Sequence, residues 1–468
     1  MEEHVRGRTS SPGTRSSVTS STGQRLGLLA GIVIAALSLV LAACSTGSGH
    51  SGSGSSAPRS SVKPTPRATL AAADIRITPA NGSKDADPSA GITVNAKKGT
   101  LTSVVVHESD TASPSASPSG SSDSASTTVP GSMSQDNKSW HTQWTLATEQ
   151  SYTVTASARV PGQGTLTRTV SFRTLTPGNT FHTQIFEGYN QTYGVGMPIM
   201  LTFSEPITNK AAVERSLQLT TSNPVTGAWY WDGDEHLNFR PENYWPAGTK
   251  ISFTGHLAGV EGAKGAYGAA DLTQSFSIGD SVIAVTSATA HQTKIYINGG
   301  LKYTWKASTG KASTATPNGT YVSIEKENPV RMTGGTKGQP GYYSELVPYS
   351  VRFTFSGDYM HDAPWSVGVQ GSSNVSHGCV NLSPTDSKIY YDMAIPGDPV
   401  TVTDSTKAGK WDDGWTEWFL SWADLVKGSA LHQAVKAGPD GSSFVDPSTV
   451  AAPSSSVTTG PAPGNYNA

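Results

Sequence analysis

"SNVSHGCVNLSPTDSKIYYDMAIPG", residues 373–397, sets a single cysteine in a loop of small and polar residues and follows it at once with a helix signal. Ser383 stands in the capping position with Pro384 at the first helical position, and Gly397 lies just past the end of the run. Upstream, "GTYVSIE" (319–325) and "YSVRFTF" (349–355) alternate as strands do, and "DPVTVTD" (398–404) does so downstream. "NGG" at 298–300 predicts the tight turn of a hairpin. The cysteine loop is therefore expected between strands and one helix of a β-rich unit.

The chain of 468 residues is too long for one core, so several domains are expected. Charged residues make up 15% and the formal net charge is −2, which gives no basic footprint for nucleic acid. Arg6, Arg8, Arg15 and Arg25 precede the apolar run "LGLLAGIVIAALSLVLAAC" (26–44), a pattern that predicts export and places the rest of the chain outside the cytoplasm. "LAAC" looks like a bacterial lipobox with Cys44 as the lipidated residue; an uncleaved anchor and a plain signal peptide are the alternatives. The chain holds two cysteines, so with Cys44 acylated or removed, Cys379 has no intramolecular partner. An unpaired thiol in an oxidising compartment argues for a reactive role over inert burial.

The expected division is a signal peptide and lipobox over 1–44, a disordered tether over 45–72, and a first sandwich over 73–176 with a disordered loop at 109–135. A second sandwich over 177–279 repeats its aromatic and Thr-rich strands, with a short helix capped by Asn209. A third unit over 280–404 carries the cysteine loop. A Trp-rich segment over 405–428 places Trp411, Trp415, Trp418 and Trp422 at helical spacing, and a disordered tail occupies 429–468. Trp229, Tyr230, Trp231 and Trp245 are expected to pack in a core or between domains rather than to present a sugar platform.

A thiol near its ordinary pKa of about 8.5 is mostly protonated at neutrality and needs a basic neighbour. His377 is two residues away in the same loop, while His361 lies 18 positions earlier. His361, brought back by a hairpin, is the better-placed base. Gly378 lacks a Cβ where a carbonyl must approach, and would leave the N–H groups of residues 377 to 379 free for a developing oxyanion. His377, Cys379 and His361 lack an evident fourth ligand for zinc, and no metal or cofactor is expected.

"HDAPWSVGVQGSSNVSHGCVNLSP" (361–384) closely resembles the signature of the L,D-transpeptidases with a YkuD-type catalytic domain, in their actinobacterial, mycobacterial-type branch. The resemblance runs through "YGVGMPIMLTFSEPIT", "GAWYWDGDEHLNFRPENYWPAGT" and "QSFSIGDSVIA", covering roughly residues 178 to 425. It implies a mainly β chain: two tandem immunoglobulin-like sandwiches, the catalytic domain and a short Trp-rich subdomain. It implies Cys379 as nucleophile, His361 as base, and the backbone carbonyl of Asp362, where this branch usually has serine, orienting the imidazole; the nearby carboxylate would raise the base's pKa. His377, Gly378 and Cys379 would line the oxyanion hole, with Ser376 and Asn381 fixing the loop. Tyr343 and Met332 would cover the donor site from a flap, with Ser356, Gly357 and Trp365 beside the substrate.

The implied partners are peptidoglycan stem peptides: a tetrapeptide donor that loses D-Ala and the side-chain amine of an acceptor diamino acid, giving a 3→3 cross-link. The outer face of the membrane, through a lipid anchor, and carbapenem β-lactams, through the same cysteine, complete the set. Transfer of the thioester to water would make the chain an L,D-carboxypeptidase. A silent cell-wall spacer is a second reading. A papain-like protease is a third, against which stands the order of histidine before cysteine.

Overall fold

The computed structural model describes residues 74–109, 128–162, 164–446 and 448, and these form a mainly β structure. The expected signal peptide, Cys44, the tether and the stretch 110–127 of the Ser-rich loop lie outside the described residues. Among the described residues no helix is long and apolar enough to cross a membrane.

The first sandwich faces the sheet of Ile75–Thr78, Thr93–Ala96, Ser139–Thr142 and Gly131–Met133 against the sheet of Thr100–Ser109, Ser151–Val160 and Gly164–Arg173. Ser151–Val160 shows why: its alternate positions Tyr152, Val154, Ala156 and Ala158 are all buried, as a period of two requires. Part of the stretch expected to be disordered is instead paired: Thr128 bridges to His107, and Gly131–Met133 pairs with Ser139–Thr142.

The second sandwich has a sheet of Thr192–Tyr193, Leu272–Ile278, Lys250–Gly255 and Leu217–Thr221. Opposite it is a six-stranded sheet ordered Gly441–Val445, Ala434–Gly438, Val225–Asp232, His236–Pro241, Ile199–Phe203 and Thr183–Ile185. Trp229, Trp231 and Trp245 are buried in its core with Phe239 and Phe253, as expected for packing aromatics. Asn209 precedes the helix Lys210–Arg215 but caps nothing with its side chain, which donates instead to the Glu261 carbonyl.

Two C-terminal expectations are corrected. Residues 434–445 form a hairpin that extends the second sandwich, with Val225 opposite Ala437, so the tail does not lose order at residue 429. Glu214 holds it there: its carboxylate is 0% exposed and accepts from Trp231 Nε1, Ser429 Oγ and the Ala430 N–H. The four tryptophans do not share one helix. Glu417–Phe419 is a 3₁₀ turn and only Trp422–Lys427 is helical, because Gly414 at φ 124° turns the chain beside Phe353 and Thr354. The stripe docks nonetheless. Trp418 donates to the Gly196 carbonyl and packs on Tyr244, and Trp415 packs on Phe186.

In the third unit a six-stranded sheet, Gly300–Lys306, Gln292–Ile297, Val282–Ser287, Pro399–Thr403, Pro317–Val322 and Lys407–Ala408, packs near a four-stranded sheet of Glu325–Glu327, Ser350–Arg352, Tyr359–Asp362 and Val380–Leu382. Asn298 and Gly299, at φ 47° and 86°, make the expected tight turn between Ile297 and Gly300. Helix Pro384–Met393 is capped by Ser383, whose Oγ accepts the Asp386 N–H. Val330–Gly334 and Tyr343–Val347 form a separate two-stranded flap.

Candidate active site

His361 and Cys379 are brought together by a parallel ladder, not by the expected hairpin. Tyr359–Asp362 runs parallel to Val380–Leu382, with Met360 opposite Val380, His361 opposite Asn381 and Asp362 opposite Leu382. Because side chains alternate, His361 and Asn381 share one face, and Cys379, in the bend just before the second strand, lines the same cavity as both. Met360, Val380 and Leu382 take the other face and are fully buried in the core. The sheet core thus fixes which way His361 and Asn381 point.

The residues between the two strands form a crossover that begins with the turn Pro364–Ser366 and is tied internally. Asn381 Nδ2 donates to Ser366 Oγ at 3.1 Å, Ser366 Oγ donates to the Ala363 carbonyl, and Gln370 Nε2 donates to Ser366 Oγ. Asn381 therefore fixes the loop, as expected. Ser376 does so from the other end: its Oγ donates to the Cys379 carbonyl at 2.6 Å and accepts the Gly378 N–H at 3.1 Å. That second bond is a correction, since the Gly378 N–H is committed to Ser376 and is not free for an oxyanion.

Gly378 sits at φ 144°, and a Cβ there would collide with Asp358 Oδ1, so both backbone and space call for glycine. Sequence reasoning missed Asp358, Thr316 and Asp413. Thr316 Oγ1 donates to the Gly378 carbonyl, and Asp358 is buried against the cysteine loop. Asp413, from the Trp-rich segment, accepts both the Ser356 N–H at 2.6 Å and the Ser356 hydroxyl at 2.7 Å. No local pattern marks these partners, which arrive from distant segments.

His361 is 3% exposed. Its Nδ1–H donates to the Asp362 carbonyl at 2.8 Å, which leaves Nε2 as the acceptor. Burial holds the imidazole down to about 4, and the bond to Asp362 offsets only part of that. The expectation that the Asp362 carboxylate would raise the base is thus overturned: desolvation dominates, and Oδ1 of Asp362 is itself buried without a partner. Cys379 is half-buried, and its thiol faces the Gly357 carbonyl at 3.8 Å. Burial and then Asp358 push the thiol up to about 12, while the N–H groups of Tyr359 and of Cys379 itself pull it down.

Both residues open on a cavity of about 620 Å³. Of the expected site residues, Met332, Tyr343, Trp365, Ser376, His377 and Asn381 also line it, together with Tyr342, Glu345, Val347 and Val375. Tyr343 stacks on His377 with ring centroids 4.9 Å apart, so the flap rests on the cysteine loop. Ser356 is not among the lining residues and is turned to Asp413, and Gly357 contributes its carbonyl next to the sulfur. Among the described residues no group of three or more His, Cys, Asp or Glu side chains is arranged to hold a metal ion.

Comparison with known proteins agrees with this architecture. Residues 83–261 match the family model described as a bacterial Ig domain, and residues 280–402 match that of the L,D-transpeptidase catalytic domain. L,D-transpeptidase 2 of Mycobacterium tuberculosis is 33% identical over 303 residues, covering 62% of this chain and 74% of the relative. L,D-transpeptidase 5 of the same species is 35% identical over 324 residues, covering 66% and 69%. A solved structure described as LD transpeptidase LdtMt1 in complex with imipenem aligns with a TM-score of 0.41 at 36% identity, over 49% of this chain and 100% of that one. With a histidine and a cysteine on the wall of one cavity in a β-rich unit that follows two sandwiches, and with relatives of this similarity over most of their length, the chain belongs to the L,D-transpeptidase family with a YkuD-type catalytic domain.

Proposed function

We propose that the chain forms 3→3 cross-links between peptidoglycan stem peptides, with Cys379 as nucleophile and His361 as general base. The observation that carries this reading is that the parallel pairing of Tyr359–Asp362 with Val380–Leu382 brings His361 and the residue just before the second strand, Cys379, to the wall of one cavity. Sγ attacks the carbonyl that joins the diamino acid at stem position 3 to D-Ala; the S–C bond forms and its proton passes to Nε2 of His361. As the tetrahedral intermediate collapses, the C–N bond breaks and the same proton leaves on the amine of D-Ala. The side-chain amine of an acceptor diamino acid then attacks the thioester: the C–N bond forms, His361 takes the proton the amine releases, and as the C–S bond breaks that proton returns to Sγ, restoring the thiol. Asp362 keeps the ring in the productive tautomer through its carbonyl. The oxyanion would be met by the N–H groups that face the sulfur, those of Tyr359 and Cys379. His377 and Gly378 shape the loop, and Tyr343, Met332, Trp365, Ser356, Gly357, Ser376 and Asn381 form or support the donor site.

The neutral states arise from burial. Burial and the nearby Asp358 carboxylate keep the Cys379 thiol mostly protonated at neutral pH. The proton therefore moves at the moment of attack. The same thiol is proposed as the carbapenem target. We also propose that Cys44 carries a lipid, that residues 45–72 tether the folded part to the outer face of the membrane, and that boundaries at 73–176, 177–279, 280–404 and 405–428 divide it, with the hairpin at 434–445 joining the second unit.

The test is mass spectrometry of purified tetrapeptide muropeptides after incubation with wild type and Cys379→Ala. Loss of D-Ala with dimer formation, absent in the variant, is the expected result. Monomeric tripeptide alone would mean hydrolysis, and an unchanged mixture with both proteins would leave a spacer.

A further inference from the structure

The flap hairpin sorts its side chains by register. Met332 pairs with Glu345 and Gly334 with Tyr343, so Met332, Tyr343 and Glu345 share the face turned to the cavity, and all three line it. Arg331, opposite Leu346, takes the outer face and donates to Ser344 Oγ. The one cation of these two strands is thus turned away from the cavity, and the one carboxylate is turned toward it.

Glu345 is the only carboxylate among the residues that line the cavity. The rest of the wall is aromatic, aliphatic or uncharged polar, apart from His361 and His377. Burial holds down both rings, with Lys311 adding to the effect on His377. Lys311 itself stands outside the lining set, with Nζ 3.4 Å from His377 Nε2. Among the described residues the Glu345 carboxylate makes no ion pair or hydrogen bond, so its charge is not spent on the protein. Glu345 is exposed on the flap, and the single carboxylate on an otherwise uncharged lining favours a cation in the cavity.

We propose that Glu345 is a specificity-determining residue that receives the free side-chain ammonium of the donor's diamino acid, and so selects stems in which that amine is unmodified. This rests on the transpeptidase reading and sharpens it. The donor assignment comes from the flap: Glu345 shares its strand and face with Tyr343, which covers the cysteine loop by stacking on His377.

The test uses the full chain and two tetrapeptide donors, one with a free and one with an acetylated side-chain amine, with D-Ala release as the readout. Wild type is expected to favour the free-amine donor by about fivefold in kcat/KM, as for a charged contact at a solvent-exposed carboxylate. Glu345→Gln is expected to bring the two donors within about twofold, Glu345→Lys to invert the preference, and added salt to shrink it in wild type. Equal alkylation of Cys379 by neutral iodoacetamide in all three proteins shows that the fold and thiol are intact. A preference that survives in Glu345→Gln, or a wild type that cleaves both donors equally, overturns the proposal. Wild type that releases D-Ala from neither donor overturns the transpeptidase reading and this proposal together.

Discussion

The catalytic cavity and the joint between the Trp-rich segment and the second sandwich both take ionisable groups out of water. At the cavity, His361 and Cys379 each keep one main-chain partner, and both border about 620 Å³ of open space. At the joint, Glu187 and Glu417 are 0% and 5% exposed, and burial lifts their carboxyls to about 8 and about 7. Arg240 lies between segments there, donating to the Glu417 and Leu420 carbonyls with its guanidinium 4.5 Å from the Trp418 ring. Oε1 of Glu187 and Oε2 of Glu417 have no hydrogen-bond partner. Shifted acids and bases occur in both places, so the shift alone does not mark chemistry; a fixed tautomer facing a cavity does.

The largest contrast is expected from matched substitutions. His361→Ala should lower kcat/KM for D-Ala release by about 10²–10⁴-fold, the usual contribution of a general base. Glu417→Gln should leave the same assay within about twofold. Equal losses from both would place the joint in the chemistry and erase the contrast.

Stability should respond the other way. Trp418→Ala removes a buried indole, its bond to Gly196 and its stack on Arg240, and is expected to cost about 3–5 kcal/mol in denaturant unfolding. Because Asp413, five residues earlier, grips Ser356 at the rim of the active site, this variant should also lose part of its activity. Full activity at reduced stability would separate the joint from the site.

The smallest effect is a pH dependence. Glu187 and Glu417 bind protons more tightly folded than unfolded, where they titrate near 4.5. Their contribution is complete below that value and is lost as pH rises through about 7 and about 8. His361 has the opposite sign: its ring stays neutral in the fold down to about 4, so it costs stability as pH falls below 6.5. Between pH 6.5 and 8 the carboxyls dominate, and Tm should fall in wild type and fall less in Glu187→Gln. A Tm that rises over this window contradicts the assignment.

The sequence made the local devices legible. Alternation in "YTVTASARV", the Ser383 and Pro384 helix start and the Asn298–Gly299 turn each depend on neighbours in the chain, and each is found in place. The pairing of Cys379 with His361 was legible as chemistry but not as geometry, because a parallel ladder depends on a core that forms from many segments. The C-terminal hairpin escaped notice for the same reason. Its strands are short and small-residue-rich, and what pairs with them is Val225–Gly227, more than two hundred positions earlier, with Glu214 fixing the approach at Ser429 and Ala430. Likewise the spacing of Trp411 to Trp422 imitates a helix, while Gly414 and the sockets at Gly196 and Tyr244 decide where the rings go.

Everything proposed for the reaction turns on a cavity that holds a protonated thiol beside a neutral imidazole, with the proton moving only on attack. The rate of Cys379 alkylation by iodoacetamide as a function of pH reports on this state of the pair. The rate should climb about tenfold per pH unit from 7 to 9 with no plateau, as for a thiol whose pKa lies well above that range. A rate already high and flat from about pH 5 upward, the mark of a standing thiolate–imidazolium pair, would refute it.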